Sequence, residues 1–307
     1  MKWIEEHVLV PPLAADATSA PLVLDDDGAE ARQFRSTTQL PDMGGLDTRG
    51  LEGLRCSGSA QLSVAGYRDV LRRLADVPRE RLHVVDLRQE SHGFLNGAAV
   101  SWYAESNWGA AGLSDEEALS LEHERLLLLS RSQRARVSDV AGVKRRAPAS
   151  SSDWECRTVM DEACAFELPP GRYVRFLVTD HSRPRDATVD DFIQWIRGLD
   201  ERAHLHLHCR GGKGRTATFM CLLDLLHNAG HLSLDAVLER QTRLGGYDLR
   251  KEADPSSPKA PYIAERRAFL ARFHEYAREN PGGAPLGWGE WLARRLTNSE
   301  PKAGAVD

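Results

Sequence analysis

Residues 205–220 read LHLHCRGGKGRTATFM, and the fold turns on this stretch. Leucine and histidine alternate up to His208 as in a strand. Three glycines follow at 211, 212 and 214, and from Arg215 the chain reads as a helix. Gly211, Gly212 and Gly214 let successive backbone N–H groups turn inward at a helix start, which makes a cradle for a phosphoryl group. The same amides favour a thiolate on Cys209, the candidate nucleophile. Arg215 returns at the far rim, where a guanidinium can grip two phosphoryl oxygens, and Arg210 and Lys213 add charge. Thr216 is placed to hydrogen-bond the sulfur and help it leave, and His208 to order the loop.

Two rival readings of the stretch are weaker. A nucleotide-binding Walker loop needs Gly-Lys followed at once by Ser or Thr, whereas Lys213 is followed by Gly214. His204, His206 and His208 share one strand face, but alternate strand residues beside a buried sheet more often pack or hydrogen-bond than hold a metal. No metal and no cofactor is expected.

Outward from the loop, helices and strands alternate. Tyr67–Leu74 has helical spacing, Leu82–Leu87 (LHVVDL) and Tyr173–Val178 (YVRFLV) are strand-like runs, and Ser114 caps a helix through about Ser130. Further helices are expected over Val189–Leu199, Arg215–Ala229, Asp235–Arg243 and Ala264–Arg278, with a loop from Arg88 to Gly112. This pattern predicts an α/β fold, a mainly parallel sheet covered by helices on both faces. Residues 1–50 read as an extended N-terminal arm and 51–307 as the catalytic domain. A small strand-rich insertion is expected at about 132–170.

The chemistry also needs an acid for the leaving oxygen. Asp180, directly after YVRFLV, is the best-placed candidate in VTDHSRPRDATVDDF; Asp186, past Pro184, and Asp190 and Asp191, in the first turn of the next helix, compete with it.

Composition bounds the partners. The 307 residues carry 40 basic and 45 acidic side chains, a net charge of −5, which argues against a broad nucleic-acid surface. The apolar runs fall short of the ~20 residues that span a bilayer. Five widely spaced cysteines without a CxxC pair suggest neither a zinc ribbon nor a disulfide framework. The N-terminus MKWIEEHVLV shows no export signal, which leaves the compartment open between the cytoplasm and export with a leader removed. A small-molecule substrate and a monomer are the expectation.

His208-Cys209-x-x-Gly212-x-x-Arg215-Thr216 resembles the active-site signature of the protein tyrosine phosphatase superfamily. Further stretches resemble the bacterial protein-tyrosine-phosphatase-like phytases, cysteine enzymes that act on myo-inositol hexakisphosphate. These are Phe34-Arg35, Gly58–Gln61, residues 85–93 (VDLRQESHG), Ser101–Tyr103, Asn107-Trp108, Asp180-His181 with Pro184, and Arg240-Gln241 with Gly245-Gly246. The resemblance implies a phosphatase core with a small partial β-barrel and a pocket between them. It also implies basic substrate contacts at Arg35, His181, Lys259 and Arg266, and at one of Lys144, Arg145 and Arg146, with Arg146 taken here. Arg266 stands where the family often has lysine. The function implied is metal-independent phosphate release from inositol hexakisphosphate and lower inositol phosphates. A phosphotyrosine, dual-specificity or phosphoinositide phosphatase is the alternative, and an inactive inositol-phosphate-binding module a further one.

Overall fold

Eleven strands sort into two sheets within residues 8–145 and 150–299, the part of the chain that this computed structural model describes. In chain order come β1 (Leu22–Asp26), β2 (Arg35–Ser36), β3 (Cys56–Ala60), helix α1 (Val64–Arg73), β4 (Leu82–Arg88), β5 (His92–Leu95), β6 (Ala98–Trp102) and helix α2 (Asp115–Arg131). Then follow β7 (Arg134–Asp139), α3 (Val140–Lys144), β8 (Ser151–Glu155), β9 (Val159–Met160), α4 (Glu162–Ala165), β10 (Tyr173–Val178) and α5 (Asp186–Arg197). The chain continues with β11 (His204–Cys209), α6 (Gly214–Asn228), α7 (Leu234–Arg243), α8 (Ala260–Glu279) and α9 (Trp288–Ser299).

The first sheet has the order β10-β4-β11-β3-β2. Its first four strands are parallel, and β2 closes the edge antiparallel to β3. Parallel strands need cover on both faces, and every residue of β4 and β11 is buried. On one face Val85, Leu87, Leu205 and Leu207 pack into a core with Phe192, Phe219 and Phe273 from α5, α6 and α8. On the other, Leu82 and Val84 join Tyr67, Phe94 and Phe166. The α/β expectation holds. Helix α6 shows little amphipathic pattern because it is buried almost all round, from Arg215 to Leu226.

The second sheet runs β8-β7-β1-β6-β5-β9 and draws on distant segments. Within the stretch read as an arm, β1 lies between β6 and β7. The strand-rich stretch 132–170 supplies β7, β8 and β9. The partial barrel expected there corresponds in position to this sheet; among the described residues no pairing joins its edge strands β8 and β9.

Three local expectations change. Arg88–Gly112 is not all loop, since β5 and β6 form a buried hairpin turned at Asn96-Gly97, both with positive φ. Asn-Gly between apolar runs is a hairpin signal that the surrounding Gly, Ser and Trp obscured. Helix α8 begins at Ala260, because Pro261 fits a helix's first turn. The C-terminal helix α9 was not expected at all; it docks through Trp288 and Trp291 against Phe273 and Tyr276.

Candidate active site

Strand β11 delivers Cys209 to the C-terminal edge of the parallel sheet, between β3 and β4, and α6 starts at Gly214. The loop between them is held by close backbone approach. Gly212 has φ +63°, and a Cβ there would lie 2.5 Å from the Ala60 nitrogen. At Gly214 a Cβ would meet Arg266 Nη1 at 2.7 Å, whereas Gly211 has open space. Cys209 is buried, and the Thr216 hydroxyl donates to its sulfur at 3.2 Å. None of the five cysteines is in a disulfide. Cys56 is a wholly buried thiol that desolvation pushes up to about 12.

Arg215 is buried and clamped. Its Nη1 donates to Glu90 Oε2 at 2.6 Å and to the Val178 carbonyl at 3.0 Å, and its Nη2 donates to Glu90 Oε1 at 2.9 Å. Its Nε has no hydrogen-bond partner. Glu90 also accepts from Arg88 Nε at 2.9 Å. Burial alone would raise the Glu90 carboxyl, but the two guanidiniums overcome it and hold the group below its ordinary value.

Asp180 follows β10, and its Oδ2 lies 3.3 Å from Arg215 Nη2. Asn107 Nδ2 donates to the same oxygen at 2.9 Å, the His181 N–H donates to Oδ1 at 2.9 Å, and Trp108 Nε1 donates to the Asp180 carbonyl at 3.0 Å. Burial would again raise this carboxyl; Arg215 first, then His181 and the Asn107 bond, hold it far below the usual range. The competing aspartates are occupied elsewhere. Asp186 accepts from Arg183 and from Trp288 Nε1, and Asp190 accepts the backbone N–H groups of Trp288 and Gly289. Asp191 is exposed on α5.

Cys209 and Asp180 open onto a cleft of about 880 Å³. Of the residues predicted from sequence, Arg210, Gly211, Lys213, Gly214, His181, Lys259 and Arg266 line it as well. Arg215, Thr216 and Gly212 lie behind the loop surface, and His208 lies deeper still, its Nε2 2.8 Å from Glu162 Oε1. Arg35 is not in the lining: it is buried in β2, with Nη1 on the Gln33 carbonyl. Arg146 falls outside the described residues, while Lys144 of the same basic cluster does line the cleft. His204 and His206 bond to the Ser57 and Ser59 hydroxyls within the sheet, as strand-packing histidines do.

Among the lining residues to which the sequence assigned no role are Arg32, Tyr103, Asn107 and Asp25. Tyr103 carries Arg210 over its ring at 4.7 Å and Lys144 at 5.6 Å. Asp25 takes Arg210 Nε at 2.7 Å and Arg88 Nη1 at 2.9 Å. For Asn107 a signal existed in Asn107-Trp108, though its partner could not be read from the chain. Asp86, His92 and Glu162 have ligand atoms within 4.8 Å of one another, a spacing that would suit a metal. Arg175 Nε and the Tyr173 hydroxyl each reach Asp86 Oδ2 at 3.0 Å, so that oxygen already faces a guanidinium and a donor.

A family model for protein-tyrosine-phosphatase-like phytases, described by inositol hexakisphosphate, matches residues 85–227. A phytase of this type from Bdellovibrio bacteriovorus is 35% identical with a TM-score of 0.75, and the match covers 95% of this chain and 100% of that one. The inositol phosphatase from Mitsuokella multacida, solved with myo-inositol-(1,3,4,5)-tetrakisphosphate, is 31% identical with a TM-score of 0.80 over 89% of this chain and 49% of that one. Effector protein hopD2 of Pseudomonas syringae pv. tomato is 31% identical over 85% of this chain and 56% of its own length. The chain thus spans about half the length of the last two proteins.

Proposed function

The chain belongs to the protein-tyrosine-phosphatase-like phytase family, and from that premise we propose that it releases phosphate from myo-inositol hexakisphosphate and lower inositol phosphates through a cysteinyl-phosphate. The observation that carries this reading is a cleft lined by Cys209 and Asp180, with Arg215 buried 3.3 Å from Asp180 and with an excess of cations around it. Arg32, Lys144, Arg210, Lys213, Lys259 and Arg266 outnumber the lining acids Asp16, Asp25, Glu105 and Asp180. A single phosphate needs the loop alone. A ring bearing several phosphates needs the remaining cations, and the Mitsuokella relative was solved with such a ring.

In the proposed reaction the Cys209 thiolate attacks phosphorus in line and the P–O bond to the inositol breaks. Asp180 gives its proton to the departing oxygen. Loop amides and Arg215 hold the equatorial oxygens, with Glu90 fixing the plane of the guanidinium. Water then attacks phosphorus, Asp180 takes its proton, and sulfur leaves as a thiolate that the Thr216 hydroxyl stabilises. Cys209→Ser should abolish phosphate release from inositol hexakisphosphate while the protein stays folded. Full release by that variant would sink the reading. Faster turnover of phosphotyrosyl peptide or phosphoinositide vesicles by the unaltered protein would move the substrate elsewhere.

A further inference from the structure

The turn that carries Asn107 is unusual. Ser106 and Asn107 both have left-handed backbones, φ 56° and 64°, and both are buried. Two consecutive non-glycine residues in that region are held there by their surroundings. The turn grips one residue twice. Asn107 Nδ2 donates to Asp180 Oδ2 at 2.9 Å, and the next residue, Trp108, donates its indole N–H to the Asp180 carbonyl at 3.0 Å. The same Nδ2 donates to Glu90 Oε1 at 2.8 Å, the oxygen that accepts from Arg215 Nη2. One amide group therefore ties the acid to the clamp on the phosphate-binding arginine.

We propose that Asn107 is a positioning residue that fixes the Asp180 carboxyl relative to Arg215, so that the proton is delivered to the leaving oxygen when phosphate occupies the loop. The inference rests on Asp180 being the acid. Asn107 forms no bond to Cys209 or Arg215, so its influence should fall on proton delivery rather than on attack by sulfur.

Leaving groups separate these two steps. An inositol alkoxide leaves badly without a proton, whereas p-nitrophenolate leaves without one. The substitution to use is Asn107→Gly, because glycine accepts φ 64° and the turn survives while the amide is removed. The ratio of kcat on inositol hexakisphosphate to kcat on p-nitrophenyl phosphate should drop about tenfold, part of the ~10²–10⁴ that general acid catalysis supplies. KM for the inositol phosphate should stay within about twofold, since binding charges are unaltered. Asn107→Asp keeps the shape and the backbone preference but removes the donor, and should lower the ratio at least as far; it serves if the glycine variant does not fold.

Asp180→Asn runs alongside. If it lowers the ratio and both Asn107 variants leave it unchanged, Asn107 only shapes the turn and the proposal falls. If Asp180→Asn also leaves the ratio unchanged, the assignment of the acid falls with it. An equal loss on both substrates by the Asn107 variants would mark a general structural role and overturn the proposal too.

Discussion

Glu90 accepts both arms of the Arg215 guanidinium, at 2.6 and 2.9 Å, with both side chains essentially inaccessible to water. A bidentate pair of this kind fixes the guanidinium plane, and it turns a flexible side chain into a fixed element of the loop. Breaking such a pair from one side leaves a buried charge without its partner. Glu90→Ala should therefore lower stability by about 3–5 kcal/mol. Glu90→Gln, which keeps one acceptor, should cost less and still reduce kcat. Urea unfolding read beside phosphate release checks both, and an alanine variant as stable as the parent would show that the pair contributes little.

Asp180 presents an electrostatic conflict that the proposed reaction would resolve. Arg215, His181 and Asn107 hold its carboxyl far below the ordinary value, which suits a base rather than an acid. A phosphate dianion taken up by Arg215 brings negative charge beside Asp180, and a like charge raises a carboxyl. Proton delivery should thus be strong only in the substrate complex and should fade as pH rises through the raised value there. Asp180→Asn should cut kcat on inositol hexakisphosphate by about 10²–10⁴ and remove that alkaline decline. A pH profile of kcat for parent and variant tests this, and an unchanged decline in the variant would assign it to another group.

How far the sequence carried the site follows from where its parts lie along the chain. Cys209, Arg215 and Thr216 sit on one contiguous strand–loop–helix segment, so local spacing alone implied their meeting. Asp180 was legible because it directly follows a strand. Glu90, Asn107 and Asp25 were not assigned roles, because a role such as clamping Arg215 depends on β4, the hairpin after it and β1 arriving at one place. Arg35 lies close enough to Cys209 for their charges to interact, with its Nε and Nη2 buried and without a hydrogen-bond partner. Resemblance placed it at the substrate, and the fold buries it in an edge strand outside the cleft lining. The hairpin over 92–102 was hidden by its composition, since buried Ser101 and His92 look like loop residues until their partners are known.

The loop glycines differ in what they tolerate. Gly212 combines φ +63° with a Cβ position 2.5 Å from the Ala60 nitrogen, and neither backbone can yield cheaply. Gly212→Ala should lower stability by about 1–3 kcal/mol through overpacking and displace the loop amides, with phosphate release largely lost. Gly211→Ala meets nothing within 4 Å and should fold like the parent. Thermal melts of the two variants, compared directly, decide this. Equal melting points would remove the steric argument.

Behind the loop lies a buried ionic cluster whose acid sensitivity has a definite sign. Burial raises Glu122 and Glu162, but His92 and Arg175 acting on the first, and His208 on the second, bring each down to about 2. A carboxyl depressed in the folded state contributes stability above its unfolded value of about 4.5, and that contribution is lost as pH falls toward about 2. His92 behaves in the opposite sense. Burial and Arg88 lower it, yet Asp86 and Glu122 raise it well above 6.5, so its contribution is full below 6.5 and lost only at higher pH. Urea unfolding from pH 2 to 7 should show stability falling steeply below about 4.5, and Glu122→Gln should flatten that fall while lowering stability at neutral pH. A variant with the parent's acid slope would place the acid sensitivity elsewhere.

Lys144 offers a test of substrate charge that leaves the catalytic loop untouched. Its amine lies 5.6 Å from the centre of the Tyr103 ring, and the residue lines the cleft together with Lys259. The side chain keeps solvent access, yet partial desolvation first, and repulsion by Arg210 next, pull the amine below its ordinary value. A base so lowered loses its charge earlier as pH rises. Lys144→Met should therefore raise KM for inositol hexakisphosphate by roughly fivefold, the scale of one solvent-screened ion pair, with little change for p-nitrophenyl phosphate. Lys144→Arg keeps the charge to higher pH, so the alkaline fall in kcat/KM on the inositol substrate should begin later than in the parent. The comparison of the two substrates isolates charge from shape, because only the polyphosphate reaches beyond the loop. Equal KM changes on both substrates would mean that Lys144 shapes the cleft instead of meeting a second phosphate.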